Sequence, residues 1–149
     1  MDRQVIQSTG FHNIKDEEGK VVGFTFRVRL PYYRGIYLSQ LRPGSCFVDG
    51  EKFTKDEITW VFNGEEYTWQ ELAEDFHTHW VPNVCAAIRV KKEGGLAQGF
   101  HDIKYGYSFE SSYMPPMMES DEALNPDAES PIFMPEFGHH VNERRLLIV

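Results

Sequence analysis

The sequence has no lysine or arginine between residues 105 and 143, although that interval contains eight of the 23 acidic side chains. The fifteen other acidic residues match the fifteen basic ones, so the net charge of −8 arises from this one segment. An acidic chain without a stripe of Lys and Arg repels polyphosphate backbones. We therefore do not expect nucleic acid as a partner.

Long apolar runs and cysteines are also scarce. No stretch approaches the roughly 20 apolar residues that a membrane helix needs, and the start, MDRQVIQSTGF, lacks the basic-then-apolar order of a signal peptide. We expect a cytoplasmic protein that does not enter a membrane. The two cysteines, Cys46 and Cys85, are expected to be free thiols, with a disulfide as the minor alternative. Neither has neighbours at the spacing of zinc ligands.

Common catalytic motifs are missing. The chain has no serine nucleophile elbow, no glycine loop that would cradle phosphate, and no pair of acids whose spacing indicates a role. The sequence therefore does not predict a self-contained active site.

Alternating apolar and polar residues predict several strands. The segment Lys20–Leu30, KVVGFTFRVRL, is typical of a strand with one buried face, and extended structure is expected to resume at IYLSQL, after the interruption PYYRG. Two hairpins are predicted, one turning at Asp49-Gly50 and one at Asn63-Gly64, because these pairs suit the positive φ angles of a type I′ turn. Residues 84–93 and 100–110 have strand patterns, and RRLLIV predicts a terminal strand over residues 144–149.

One short helix is expected after the second hairpin. Thr68 and Glu71 form a capping-box pattern, and Trp69, Leu72, Ala73 and Phe76 recur at helical spacing. About eight strands with regular turn signals predict a mainly β protein, an antiparallel, jelly-roll-like β-sandwich in a single domain over residues 1–149.

A long irregular arm, Ser111–His140, completes the predicted domain. It contains five of the eight prolines and four of the five methionines, but no periodic pattern. Structureless loops of this length tend to be functional or disordered. Proline lowers the entropic cost of docking, and methionine adapts to irregular surfaces. We interpret the arm as a partner-docking segment, with a solvated disordered tail as the alternative.

The histidines give weaker signals. His77 and His79 would face the same side of a strand, as in cupin-like metal barrels, but the carboxylate that such barrels need a few residues later is missing. Capping or surface roles are favoured for both. His139 and His140 are adjacent and point in opposite directions on an extended chain, so sharing one metal is difficult. Their place at the end of the arm makes them candidate contacts to a subunit or substrate.

Aromatic residues allow two interpretations. The three tryptophans, with Tyr37 and Tyr67, suit either a sandwich core or a platform that stacks on sugars, and the core is favoured. Tyr32 and Tyr33 differ, because they lie in the loop Pro-Tyr-Tyr-Arg-Gly, where an exposed bulky pair indicates a partner.

Several sequence blocks carry a family resemblance. The runs FRVRLPYYRGIYLSQL, PGSCFVDGEKFTKDEITWVFNGEEYTWQEL and GFHDIKYGYSFESSYMPP resemble the small, β subunit of bacterial C-glycoside deglycosidases. The similarity covers most of the chain from about Phe11 to Pro116 and continues towards its end. These blocks are specific for family membership rather than for a catalytic motif.

The resemblance implies a heteromeric lyase. The partner would be a larger TIM-barrel α subunit that binds a divalent metal ion, expected to be Mn²⁺, while this chain holds no cofactor or metal ligand and is inactive alone. The complex would cleave the carbon–carbon bond between a 3-oxo sugar and an (iso)flavonoid-type aglycone by β-elimination, with the metal stabilising an enolate.

No family motif assigns residue roles in this chain. We expect its catalytic groups in the partner, and we predict substrate or partner contacts from the loop, the arm and the histidine pair: Tyr32, Tyr33, Arg34, Tyr113, Met117, Phe133, Phe137, His139 and His140. The alternative function is a stand-alone carbohydrate-binding β-sandwich. A cupin-like metalloenzyme built on His77 and His79 is a third hypothesis.

Overall fold

The chain is built mainly of antiparallel strands. The computed structural model describes residues 5–30, 35–109 and 139–148. Two 3₁₀ turns, Leu38–Gln40 and Lys55–Glu57, and one helix, α1 (Trp69–Glu74), accompany the strands. The strands are β1 (His12–Lys15), β2 (Val21–Val28), β3 (Ile36–Tyr37), β4 (Leu41–Val48), β5 (Glu51–Phe53), β6 (Ile58–Phe62), β7 (Glu65–Tyr67), β8 (His79–Trp80), β9 (Ala86–Lys91), β10 (Gly99–Phe109) and β11 (His139–Ile148).

The strands form two large sheets and one small sheet. The first sheet has the order β1-β2-β9-β6-β7, the second has the order β11-β10-β4-β5, and β3 pairs only with β8. Neighbours that are distant in sequence, such as β2 with β9 and β10 with β4, are typical of sandwiches in which the chain crosses between sheets. The predicted antiparallel β-sandwich with one short helix is confirmed.

The core lies between the two large sheets and is rich in aromatic rings. Phe24 on β2 packs edge-on against Phe53 on β5, with ring centroids 5.6 Å apart. Phe26 on β2 meets Tyr105 on β10 in the same way at 5.7 Å. Edge-to-face pairs of this kind stabilise beyond the burial of their area, by roughly 0.5–1.5 kcal/mol each. The alternation predicted for residues 20–30 therefore supplies one wall of the core.

Trp60 on β6 links the two sheets with a buried hydrogen bond. Its indole Nε1 donates to the Tyr105 hydroxyl at 3.1 Å, and its side chain is 1% exposed. Its ring centroid lies 5.5 Å from that of Tyr107 and 5.6 Å from that of Trp80. The tryptophan at the centre of the sandwich thus packs on both sheets and on β8.

Both predicted hairpin turns are confirmed. Asp49 and Gly50 have φ angles of 51° and 88°, and Asn63 and Gly64 have φ angles of 52° and 84°. Two successive positive φ angles define the type I′ geometry that matches the twist of paired strands. The turns join β4 to β5 and β6 to β7.

Three local predictions need correction. IYLSQL is extended only over Ile36–Tyr37, because a 3₁₀ turn follows in which the Gln40 side chain accepts the Tyr37 amide. Phe76 lies beyond α1, which ends at Glu74, and is 68% exposed instead of packing with the helix. The terminal strand begins at His139 rather than at residue 144, since β11 pairs with β10 along its whole length.

Several smaller expectations have structural counterparts. Thr68 and Glu71 make the reciprocal hydrogen bonds of the capping box at the start of α1. Cys46 is buried and Cys85 is exposed, and both are free thiols; burial raises the pKa of Cys46 far above its ordinary value. None of the helices within the described ranges is long and apolar enough to cross a membrane.

His101 ties the first hairpin turn to β10. Its Nδ1 lies 2.6 Å from an Asp49 carboxylate oxygen, and its Nε2 lies 2.7 Å from the Ala97 carbonyl oxygen. Burial opposes the charged imidazolium, but these two acceptors outweigh it and raise the pKa of His101. Asp49 also accepts the Asp102 amide, and this hydrogen bond together with His101 lowers the pKa of Asp49. Each group therefore favours the charged form of the other.

Replacing Tyr105 with Phe tests the link between the sheets. The substitution leaves the buried Trp60 N–H without this acceptor, which we expect to lower the free energy of unfolding by about 1–3 kcal/mol. Urea denaturation measures the change. Tyr67→Phe is the matched control, because the Tyr67 hydroxyl donates to the carboxylate of exposed Glu65 at 2.9 Å, a partner that water can replace. Equal effects of the two substitutions would contradict the role of the buried hydrogen bond.

The His101–Asp49 pair predicts a pH-dependent stability. Folding raises the pKa of His101, so the charged pair stabilises the folded state. This stabilisation is fully present below the ordinary histidine pKa of about 6.5 and is lost as the pH rises through the folded-state pKa. The stability advantage of the wild type over His101→Gln should shrink from pH 6 to pH 9. We expect the difference in unfolding free energy to change by about 1 kcal/mol at most, since solvent screens the half-exposed Asp49. A constant difference across this range, measured by denaturation at each pH, would rule out the charged pair.

Candidate functional site

Four strand ends define one end of the sandwich. β2 ends at Val28 and β3 begins at Ile36, while β10 ends at Phe109 and β11 begins at His139. The hydroxyl of Tyr107, close to the end of β10, donates to the Arg29 carbonyl at 2.8 Å, so the ends of β2 and β10 lie on one side of the core. We call this the β3–β8 end and define it by residues 35–40, 75–80 and 109.

The small sheet presents an aromatic pair on the surface. Ile36 pairs with Trp80, and Tyr37 pairs with His79. Ile36 and Trp80 are buried, whereas Tyr37 is 48% exposed and His79 is also exposed. The rings of Tyr37 and His79 pack edge-on with centroids 5.1 Å apart. Burial of one face of β3 and β8 therefore fixes the other face towards solvent.

Gly35 allows β3 to approach β8 closely. Its φ angle is +71°, a conformation that other residues adopt only with strain. A Cβ atom at this position would lie 2.6 Å from the His79 ring and 2.7 Å from the Trp80 carbonyl oxygen. Gly35, the residue that follows positions 31–34 in the sequence, thus lies directly beside the Tyr37–His79 pair.

A hydrogen-bonded turn after α1 holds Phe76 in solvent. One carboxylate oxygen of Asp75 accepts the amides of His77 and Thr78, at 2.9 and 2.7 Å, and the other accepts the Thr78 hydroxyl. This turn is also hydrogen-bonded to the neighbouring 3₁₀ turn, because the Ser39 amide donates to the Asp75 carbonyl. Phe76 is therefore an exposed aromatic side chain on an ordered turn, not on a frayed helix end.

The same hydrogen bonds determine the ionisation of Asp75. Burial of the carboxylate would raise its pKa, but the amide and hydroxyl of Thr78 and the amide of His77 outweigh burial and lower it. The turn is thus held by a carboxylate at neutral pH.

The structure does not support a shared metal for His77 and His79. β8 begins at His79, so His77 belongs to the preceding turn and the two imidazoles do not follow one strand. Among the described residues, no three side chains of His, Cys, Asp or Glu are placed to hold a metal ion together. His79 instead packs on Tyr37.

A tryptophan platform is contradicted by burial. Trp60 and Trp80 are each 1% exposed and belong to the core. Trp69 is half-buried, with the Lys55 ammonium 4.0 Å from its ring centroid and its Nε1 bonded to Asp56. Among the candidate platform residues that the structure describes, Tyr37 is the most exposed, at 48%.

The contact residues predicted from the sequence fall mostly outside the described ranges. His139 and His140 are described in their backbone and lie at the start of β11, paired with Ser108 and Tyr107 at the same end of the sandwich. The others stay predictions: Tyr32, Tyr33, Arg34, Tyr113, Met117, Phe133 and Phe137. The contacts predicted from the sequence did not include Tyr37, Phe76 or His79, although Tyr37 was a candidate platform residue and a capping or surface role was favoured for His79. The sequence carries one signal for the exposure of Phe76, which is Asp75 followed three residues later by Thr78. An aspartate at this spacing can end a helix, because its carboxylate accepts hydrogen bonds from the residues that follow.

The architecture defines an antiparallel β-sandwich protein with an aromatic surface at one end, and its relatives define its family. The sequence profile of a family described as C-glycoside deglycosidase beta subunit matches residues 1–113. A C-glycoside deglycosidase beta subunit of Eubacterium cellulosolvens is 62% identical over 149 residues, which is all of both chains. One of Microbacterium trichothecenolyticum is 30% identical over 113 residues, 69% of this chain and 76% of the relative. This chain therefore belongs to the C-glycoside deglycosidase beta subunit family.

The Asp75 turn can be tested by amide hydrogen exchange. Asp75→Ala removes the acceptor of the His77 and Thr78 amides, so both should exchange faster, and the free energy of unfolding should fall by about 1–2 kcal/mol. Asp75→Asn keeps one acceptor oxygen and should have a smaller effect. The Glu71 amide, which is bonded to Thr68, serves as the internal control. Unchanged exchange at His77 and Thr78 in Asp75→Ala would show that the carboxylate does not hold the turn.

Proposed function

We propose that this chain is the non-metal β subunit of a heteromeric carbon–carbon lyase that separates a 3-oxo sugar from an (iso)flavonoid-type aglycone. The observation that carries the proposal is the full-length similarity, at 62% identity, to a protein named C-glycoside deglycosidase beta subunit. A beta subunit implies a second, different subunit. We therefore expect this chain to act as part of an enzyme complex.

The proposed reaction is a β-elimination. A keto group at C3 of the sugar acidifies the proton on C2, which a general base removes to give an enolate. The electron pair then forms the C1–C2 double bond and restores the C3 carbonyl, while the bond from C1 to the aglycone carbon breaks. The aglycone carbon takes that electron pair and is protonated. The products are the free aglycone and a 1,2-unsaturated 3-oxo sugar, and no water is consumed.

In this proposal the general base and a divalent metal, Mn²⁺, belong to a TIM-barrel α subunit. Such a metal acts as a Lewis acid on a carbonyl oxygen. Among the described side chains, no group of three or more His, Cys, Asp or Glu residues could hold a metal ion.

We assign docking of the α subunit to the β3–β8 end. Phe76 and Tyr37 are the two largest exposed apolar side chains there, at 68% and 48%. Complete burial of a side chain of this size in an interface contributes roughly 1.5–3 kcal/mol. Aromatic residues held rigidly at a surface also lose little entropy on binding, as anchor residues do. Arg29, Gly35 and Phe109, which are described residues close in sequence to the predicted loop and arm, lie at this same end.

The docking assignment predicts different effects for two exposed phenylalanines. Phe76→Glu should weaken association with the α subunit about tenfold or more, because a buried contact would be replaced by an unpaired charge. Lyase activity at limiting subunit concentration should fall in parallel. Phe100→Glu is the matched control: Phe100 is 66% exposed but lies on β10 at the opposite end of the sandwich. The Phe100→Glu variant should bind the α subunit as tightly as the wild type does.

Co-expression with a TIM-barrel protein encoded beside this chain supplies the assay. Association is measured by co-purification and titration, and turnover is measured with a 3-oxo-C-glycoside. Full turnover by this chain alone would refute the subunit role. Normal turnover by the pair, together with a greater loss of association in Phe100→Glu than in Phe76→Glu, would refute only the assigned docking end.

A further inference from the structure

Basic side chains surround a hollow of about 380 Å³ on the outer face of the five-stranded sheet. Lys15, Arg27 and Arg89 line it together with His12, and no carboxylate is among the lining residues in the described chain. This local excess of positive charge occurs in a chain whose net charge is −8. We call this site the basic hollow.

Strand register creates the hollow. Thr25 on β2 lies between His12 on β1 and Arg89 on β9, because it is directly paired with both. Two residues further along β2, Arg27 is paired with Ala87 on β9. Directly paired residues point to the same face of a sheet. The short side chains Thr25 and Ala87 therefore form the floor, and the longer basic side chains form the rim.

The floor carries a buried hydroxyl that is suited to bind a ligand. Thr25 is only 8% exposed, yet within the described part of the chain its hydroxyl makes no hydrogen bond. Buried polar groups are almost always paired, and leaving one unpaired is unfavourable. Because Thr25 lines the hollow, an oxygen atom of a bound group would be its natural acceptor.

The two arginines on the rim have different environments. Arg27 packs over Gly10, where a Cβ atom would lie 2.7 Å from the arginine Nε, and no ion-pair partner is found for it among the described residues. Arg89 donates to a Glu66 carboxylate oxygen at 3.0 Å, and that contact offsets part of its charge. Arg27 is therefore the principal free guanidinium, positioned by its contact with the Gly10 backbone.

We propose that the basic hollow binds a small oxyanion, either phosphate or the carboxylate of a small metabolite. The Arg27 guanidinium matches the planar or tetrahedral oxygen arrangement of such groups, and the Thr25 hydroxyl donates to one of their oxygens. Arg89 and Lys15 add positive charge around the bound group, and His12 lies beside them on the rim. The site lies on the outer face of the sheet and is independent of the proposed lyase function.

Titration of the full-length chain tests the site. Inorganic phosphate and citrate are added separately at an ionic strength held constant with sodium chloride, and backbone amide shifts are followed by two-dimensional NMR. We expect saturable shifts at residues 10–15, 25–27 and 87–89. Arg27→Met keeps the apolar stem but removes the charge, and it should weaken binding about tenfold. Thr25→Val is isosteric and should weaken binding severalfold.

The outcomes separate the ligand sources and decide the proposal. Saturation by phosphate alone assigns a phosphate ligand, and saturation by citrate alone assigns a carboxylate ligand. Lys104→Met, on β10 of the other sheet, should leave the affinity unchanged. Failure of both anions to saturate these amides would overturn the site, as would wild-type affinity in Arg27→Met. If the Arg27→Met variant does not fold, the Thr25→Val variant decides: anion binding with wild-type affinity in that variant would overturn the site.

Discussion

The packing of aromatic rings between the two large sheets is the constraint on which the rest of the structure depends. Trp60 stands at its centre, bonded to Tyr105 on the opposite sheet and in contact with Trp80 on β8. Because Trp80 is drawn into the core, its neighbour His79 faces outwards and meets Tyr37. The internal packing thus sets the surface chemistry of the β3–β8 end. A shift of Trp60 would disturb the core and this surface together.

Local signals determined much of the fold. The Asp49-Gly50 and Asn63-Gly64 turns, the capping box of Thr68 and the alternation in β2 were all predictable, since each depends on neighbours in sequence. The length of β11 was not predictable, because residues 139–143 gain their extended conformation by pairing with β10. Phe76 fits the helical spacing but leaves the helix, since the Asp75 side chain captures the next amides and ends α1.

The candidate sites were less accessible from sequence. The resemblance to a β subunit identified the family, but the exposed partners of the β3–β8 end become visible only when β3 and β8 are paired. The basic hollow is likewise invisible in the sequence, because His12, Thr25 and Arg89 come from three segments that only the sheet brings side by side. The predicted contacts in the loop and arm, Tyr32 and Phe133 among them, remain predictions. Sequence patterns reveal which elements form, and tertiary pairing decides which side chains meet.

The central claim is that a larger subunit covers the β3–β8 end of this sandwich and supplies the catalytic groups. Hydrogen–deuterium exchange of this chain, alone and in complex with the proposed α subunit, tests the claim most directly. Protection on binding is expected to concentrate in residues 35–40 and 75–80. The strands β1 and β9, whose outward side chains form the outer face of the five-stranded sheet, should keep the exchange rates of their amides. Protection centred on that outer face, with residues 75–80 unchanged, would contradict it.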